Sequence, residues 1–533
     1  MNTKGKYIVA FTAALGLVMA VLDNTIVNVA LVPMAEAFKT DLNTIQWVVT
    51  GYFLAQAAVI AISGYFSTRF GIKRLFIICL ALFTAGSVLC GLAQSESSLI
   101  ACRVLQGLGG GALFPLSQAI SFGAFPPNER AKASAVVGVP VLLAPTFGPT
   151  MGGWLMVNYG WPSIFFVNLP VGILAIALAW LVLPADQVRE KREDRSFDYA
   201  GLALVTLGVL AVVYAFSLVS QVQPGTSTIE NPAGNLYGWG YWLVWVLLGV
   251  GLVLLAAFAV YELRFSKDPV LDLHLFKRSE YTMASVVSWV NGSVVFGSMF
   301  LLPVFFQQIR IPNLSALDTG MALIPQGVAS AIAVAASGWL YSRVGVRWLV
   351  SAGALLLALS SYQLSLITNT SDGWTLMPAL FIRGLGFGFT LIPVQTLALQ
   401  SIEAHALPKA SSLFNVTRQI FGSVGVAGTI TFFVQQSVMH GTQLAGQLRS
   451  TLPAGARPDL NNPLVQAAMT RLRSEAGTEA LRDVFFYVMI GTVLLAFVSL
   501  LLPGRAAQAK PSAAAASAHR DGAPGRGRAF STE

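Results

Sequence analysis

Stretch after stretch of this chain runs for about twenty residues with no charge or a single one, which leaves few folds open. Fourteen such stretches fall near 7–32, 44–66, 75–94, 98–123, 133–157, 162–183, 200–221, 239–261, 281–307, 319–341, 348–368, 375–400, 411–436 and 483–502. At about 1.5 Å rise per residue, each can cross a bilayer core of roughly 30 Å. Inside lipid only helices and closed barrels satisfy their own backbone, and apolar runs of this length are helices. Hydrophobic residues make up 55% of the chain and charged residues 11%, with a mean hydropathy of +0.67. The expected fold class is an all-α polytopic membrane protein with 14 transmembrane helices.

The basic residues set the orientation, because cytoplasmic loops hold an excess of Lys and Arg. With an even number of spans, both termini share a side. Loops on that side carry Lys4 and Lys6, Arg69, Lys73 and Arg74, Arg130 and Lys132, Arg343 and Arg347, and Lys409, whereas short loops opposite hold Lys39 and Arg310. Both termini are therefore expected in the cytoplasm. The net charge of +9 reflects this asymmetry and implies no nucleic-acid partner. The outer segment 437–482 is also basic, but long translocated loops escape the charge rule. Its length exceeds that of ordinary connections, and 464–486 has helical patterning, so it is a candidate for docking a partner. The low-complexity tail 504–533 is expected to stay disordered.

An internal repeat organises the spans. GYFSTRFGIK at 64–73 follows the second span and GWLYSRVGVR at 338–347 follows the tenth, at an offset of 274. Gly64, Arg69 and Gly71 thus match Gly338, Arg343 and Gly345. A weaker echo pairs Gly107-Leu108-Gly109 with Gly384-Leu385-Gly386, and Pro115 with Pro393. The repeat divides the chain into a cytoplasmic N-terminus (1–6), a six-helix bundle (7–183), linkers with two inserted helices (184–280), and a second six-helix bundle (281–503), before the tail. Two parallel six-span halves with a site between them is an architecture of secondary transporters.

The run GVPVLLAPTFGPTMGG at 138–153 carries three prolines and four glycines inside an expected span. In a soluble helix each would cost about 1 to 3 kcal/mol. In a membrane neighbouring helices re-satisfy the freed backbone. Gly148, Pro149, Gly152 and Gly153 therefore serve either close helix packing or bending of a protein that changes shape.

Asp23 is the one acidic residue well inside a span. An ionised carboxylate there costs at least about 2.5 to 3.5 kcal/mol, so it lines a cavity, is paired, or is protonated. Arg103 is the natural partner, at about 7.5 Å depth against about 15 Å for Asp23 by helical rise. Its long side chain could bridge that difference, or snorkel to the surface as an anchor. Asn24, Asn28, Gln56, Gln118, Asn291 and Gln395 are intramembrane amides, each either a cross-helix hydrogen bond or part of a substrate cavity. Trp289, Phe296, Phe300 and Phe387 read as bundle core or an aromatic pocket. Arg418 lies close enough to the cytoplasmic end of its span to snorkel. The spans hold no paired acids, histidine cluster or metal-ligand set, which argues against an intramembrane enzyme and against a metal. No phosphate-binding loop of Walker form occurs, so ATP drive is not expected, and no cofactor is implied.

Six segments in order carry a family resemblance. They are LDNTIVNVAL at 22–31, Gly64 to Arg74, Arg103-Val-Leu-Gln106-Gly107-x-Gly109, Gly138 to Gly153, WPSIFFVNLPVG at 161–172 and NVTRQIFGSVG at 415–425. Together they resemble the major facilitator superfamily, and within it the fourteen-span drug–proton antiporters of the EmrB/QacA type. Thr68 stands where the loop motif usually has Asp, and Ile72 where it has Arg, which bears on a charge-based latch and not on the fold. The resemblance implies a major facilitator fold of two six-helix bundles plus two inserted helices in a bacterial inner membrane. It further implies proton-coupled efflux of hydrophobic or amphipathic drugs, with Asp23 and Arg103 in coupling and Gly64, Arg69, Gly71, Gln106, Gly107, Gly148, Pro149, Gly152, Gly153, Gly338, Arg343 and Gly345 in conformational motifs. A periplasmic adaptor and an outer-membrane channel are implied partners in a double-membraned cell. An importer or lipid flippase on the same scaffold is the alternative, since fold does not fix function.

Overall fold

The computed structural model describes residues 3–40, 42–186, 198–219, 221, 223, 236–266, 268–299, 301–451 and 463–504. The tail expected to be disordered lies almost wholly outside them. The described residues are helical and contain no β-strand element: α1 (Thr3–Phe38), α2 (Leu42–Phe70), α3 (Ile72–Gly91), α4 (Glu96–Ala124), α5 (Arg130–Tyr159), α6 (Ser163–Phe166), α7 (Asn168–Val182), α8 (Tyr199–Val219), α9 (Trp242–Arg264), α10 (Ser279–Asn291), α11 (Gly297–Met299), α12 (Leu301–Val304), α13 (Ala316–Val344), α14 (Val346–Leu364), α15 (Gly373–Gln400), α16 (Leu407–Thr451) and α17 (Pro463–Ser499). Two π-helical segments, Gly292–Phe296 and Phe305–Ile309, interrupt the run from α10 to α12. Among the described residues, ten helical stretches are long and apolar enough to cross a membrane. The other four expected spans lie on α5, on the interrupted run α10–α12, on α14 and on α16.

The sequence repeat is a structural repeat. Gly71 (φ 95°) and Gly345 (φ 88°) both sit in the left-handed region, at the N-termini of α3 and α14. Side chains rarely adopt that backbone, so glycine at this point of the motif makes the sharp turn between consecutive helices. Two residues on, Lys73 Nζ donates to the carbonyls of Trp180 and Leu183 at the end of α7 (both 2.7 Å), while Arg347 Nε donates to Leu502 just beyond α17 (2.8 Å). A cation there meets the orphan carbonyls and negative end of a helix. Arg69 packs over the ring of Tyr65 and Arg343 over Trp339, each four residues earlier on its own helix. The Gly-x-Gly echo follows suit. A Cβ at Gly107 would strike the backbone of Tyr52 on α2 and one at Gly109 that of Phe83 on α3; at Gly384 it would strike Gln326 on α13 and at Gly386 Leu357 on α14. Small residues at these points let α4 and α15 pack closely between their neighbours. Reciprocal capping boxes, Ser95–Ser98 and Asp372–Thr375, start the same two helices. The Thr375 amide hydrogen bond holds the Asp372 carboxyl below its ordinary range.

Helices α2, α4 and α5 meet α13, α15 and α16 along a seam that is tight at the end carrying the repeated loops. Gly64 of α2 lies against Pro408 and Lys409, and Gly338 of α13 against Ala131 and Ala135 of α5. Ser63 Oγ and Ser412 Oγ are 2.9 Å apart, and Ser134 Oγ and Thr396 Oγ1 2.6 Å. Gln118 Oε1 accepts from Ser411 Oγ (2.8 Å) and Asn415 Nδ2 (2.9 Å). At the entry to α5, Glu129 receives Lys6 and Lys132, and these hydrogen bonds hold its carboxyl below the ordinary range.

The Pro/Gly run lies inside α5, which stays helical from Arg130 to Tyr159. Its glycines face two ways. Cβ atoms at Gly148 and Gly152 would meet Thr25 and Ile26 of α1, whereas one at Gly138 would meet Val334 and Ile392 across the seam. The expected outer segment 437–482 is helical over 437–451, which the sequence did not mark, and over 463–482, in line with the helical patterning at 464–486; these stretches extend α16 and α17. At about 1.5 Å per residue, the 45 residues of α16 outrun a roughly 30 Å core. His440 Nε2 of the α16 extension lies 2.8 Å from Oδ2 of Asp483, the next residue of α17 after its extension.

Candidate functional site

Asp23 is buried near the middle of α1, 1% exposed. Arg103 Nη1 donates to its Oδ2 at 2.5 Å, so Arg103 reaches inward rather than snorkelling. Burying such a pair costs several kcal/mol per ion unless the remaining polar atoms are also met. Here they are. Gln106 Nε2 donates to Asp23 Oδ1 at 2.9 Å, and Asn168 Nδ2 to the same oxygen at 3.1 Å. Arg103 also donates from Nη1 to Gln106 Oε1 (2.8 Å) and from Nε to the Val48 carbonyl (3.1 Å), and its guanidinium lies 4.2 Å from the Tyr52 ring centre.

Five helices, α1, α2, α3, α4 and α7, position this network. Arg103 and Gln106 are three residues apart on one face of α4, and the missing side chain of Gly107, next to Gln106, lets α2 bring Tyr52 alongside. Asn168 opens α7 immediately after the turn that follows α6. Ser87 of α3 anchors that corner, donating to the Phe165 carbonyl at 2.8 Å and accepting from Asn168 Nδ2 at 3.0 Å. Sequence reasoning placed Gln106 among the conformational residues and passed over Asn168 and Ser87. An amide inside an apolar span was the available signal for Asn168.

The other expected residues disperse. Asn24 and Gln56 are half-buried. Gln56 Nε2 is 3.4 Å from Tyr52 Oη and so touches the network at one remove. The side chains of Asn28, Pro149, Phe296 and Phe300 lie outside the described residues. Gln118 and Gln395 line a cavity of about 30 Å³ at the closed seam, room for a water and far below the roughly 300 Å³ of a small-molecule site. Asn291 is buried on α10 with Oδ1 unbonded. Trp289 stacks on Phe421 (4.7 Å between ring centres) while Phe387 neighbours Arg383, so no aromatic pocket joins these two. Arg418 turns toward α4, its guanidinium 4.7 Å from the Phe114 ring centre, and does not snorkel.

The attraction between the Asp23 carboxylate and the Arg103 guanidinium holds the two side chains together at mid-span.

Comparison with known proteins agrees with this architecture. Residues 13–426 match the Major Facilitator Superfamily. The chain is 35% identical over 421 residues to the Multidrug resistance protein B homolog of Mycobacterium tuberculosis, covering 78% of this chain and 74% of that protein. It is 30% identical to the Multidrug export protein EmrB of Escherichia coli, over 83% of each chain. Among solved structures, the human organic anion transporter MFSD10 aligns with a TM-score of 0.58 at 14% identity, covering 92% of this chain and all (100%) of that one. The proton:xylose symporter XylE aligns with the same TM-score of 0.58 and 14% identity, over 95% and 97% of the two chains. With a buried ion pair between α1 and α4 and a motif repeated in sequence and in space, the chain belongs to the major facilitator superfamily as an EmrB-type member.

Proposed function

We propose that this chain exports hydrophobic or amphipathic small molecules across a bacterial inner membrane in exchange for protons, by alternating access. The observation that carries the reading is the sealed Asp23–Arg103 pair, the one ionisable couple buried at mid-span in α1–α4. In the proposed cycle the seam at the loop-motif end, taken as cytoplasmic, is closed while the pair is intact. A proton entering from outside neutralises Asp23 and frees Arg103, and the seam opens. Substrate loads from the cytoplasm as the proton leaves, and re-formation of the pair closes the seam again. The names of the relatives, multidrug resistance and multidrug export proteins, support the direction and the class of cargo.

In this reading α1–α7 and α10–α17 are the two six-span bundles, α8 and α9 are the inserted pair, and both termini are cytoplasmic. The extensions of α16 and α17 then project outward, where a periplasmic adaptor leading to an outer-membrane channel would dock. The test is purified protein in proteoliposomes with an imposed pH gradient and ethidium as a cationic amphipathic probe. Uphill ethidium movement against the proton flux is the expected result. Movement with the protons would favour the importer reading, and gradient-independent lipid scrambling the flippase.

A further inference from the structure

Arg383 is as deeply buried as Arg103, each 1% exposed, yet it has no acid beside it. Among the described residues its hydrogen bond is from Nη2 to Ser298 Oγ at 2.6 Å, and Nε and Nη1 have no partner. The rings of Phe387 and Phe485 lie 5.6 and 5.5 Å from the guanidinium. The sequence has no Asp or Glu between Asp318 and Asp372 or between Asp372 and Glu403, so α14, α15 and all of α13 beyond Asp318 in its first turn can supply no counter-charge. On α17, Asp483 is taken by His440 and Glu479 by Arg482, and Glu475 is exposed.

The internal repeat explains the position. Ser298 follows Asp23 by 275 residues and Arg383 follows Gln106 by 277, close to the offset of the loop motif. The second group of helices thus repeats the contact of Asp23 with α4, with a hydroxyl in place of the acid and a guanidinium in place of the amide. A buried guanidinium without a counter-charge is costly, by several kcal/mol of lost hydration. Its Nε and Nη1 keep N–H donors with no partner among the described residues, the kind of donors a carboxylate takes. The helix run carrying Ser298 is also interrupted on either side by π-helical turns, which gather at functional sites.

We propose that Arg383 and Ser298 form a binding site for the carboxylate of an amphipathic acid, whose apolar body rests against Phe387 and Phe485. The site names one substrate class for the export reading and rests on it only for the fate of the bound molecule. Binding itself needs no gradient.

The test compares two probes with the same apolar body and opposite charge, radiolabelled 4-phenylbutyrate and 4-phenylbutylamine, on purified full-length protein. Saturable 4-phenylbutyrate binding to the wild type is expected. Ser298→Asp supplies an internal counter-charge and should weaken it by about tenfold or more while raising the melting temperature; Arg383→Gln should weaken it similarly. 4-Phenylbutylamine binding to Ser298→Asp should not fall. Equal 4-phenylbutyrate binding to the wild type and both variants would overturn the assignment, as would occupation by chloride to the exclusion of 4-phenylbutyrate. A wild type that binds 4-phenylbutyrate but moves no ethidium uphill would count against the export reading and leave the anion site standing.

Discussion

Arg130 and Leu399 join the two sides of the seam: Arg130 Nη1, at the first residue of α5, donates to the Leu399 carbonyl at the end of α15 at 2.6 Å. The same nitrogen lies 2.8 Å from the carbonyls of both Gln400 and Ile402, so one cation gathers the orphan acceptors of a helix C-terminus across the interface. This is a clasp made of one side chain and a helix end, with no acid to be titrated.

Arg130→Gln should therefore loosen the closed seam without disturbing the coupling pair. A reporter cysteine at Ser134, which is 3% exposed, reads the opening in a background lacking the native cysteines. Losing charge-assisted hydrogen bonds of roughly 1.5 to 3 kcal/mol should speed its alkylation by about tenfold or more. An unchanged rate would show that the seam closes independently of Arg130.

Asp23→Asn should abolish uphill efflux and lower the melting temperature, because it leaves Arg103 buried without its counter-charge. Breaking one side of a buried pair typically costs about 3 to 5 kcal/mol. Asp23→Asn combined with Arg103→Gln removes both charges and should recover much of the thermal stability but none of the proton-driven transport. Efflux in the double variant that still responds to the pH gradient would remove Asp23 from the coupling role.

The first-order plan of the molecule was written in spacing that a sequence displays. Length and charge-free runs gave the helices, and the 274-residue offset gave Gly71 and Gly345 the same left-handed turn. Asp23 and Arg103 were legible because a charge inside an apolar span needs a partner. What stayed hidden depends on rotation about helix axes. Gln118, read as a site amide, faces Ser411 and Asn415 across the seam, and nothing local in the sequence fixes that angle. The end of α16 was hidden for another reason: polar residues beyond residue 436 lower the hydropathy while the backbone stays helical to 451, whereas the helical patterning at 464–486 is where α17 begins.

Gly148 and Gly153 looked equivalent in sequence and differ in space. A Cβ at Gly148 would overlap Thr25, two residues from Asp23, while one at Gly153 would find its nearest neighbour, Leu317, at 4.0 Å. Gly148→Val should push α1 away from α5, cutting efflux by about tenfold or more and lowering the melting temperature, in line with the 1–3 kcal/mol of overpacking. Gly153→Ala should behave as wild type. Normal efflux from Gly148→Val would show that the α1–α5 contact is not needed for the cycle.

The extensions of α16 and α17, which project outward in the proposed orientation, present Met439 and Met469, 45% and 42% exposed. Apolar side chains on a helical projection are a natural contact for a partner helix. If a periplasmic adaptor docks there, Met439→Glu with Met469→Glu should leave ethidium transport in proteoliposomes at the wild-type rate. Whole-cell resistance should meanwhile fall, because substrate released at the membrane surface can re-enter. The variant carries the His440–Asp483 tie unchanged, so the hairpin itself is kept. Equal resistance in cells carrying the wild type and the variant, at equal protein level, would rule out docking through these two methionines.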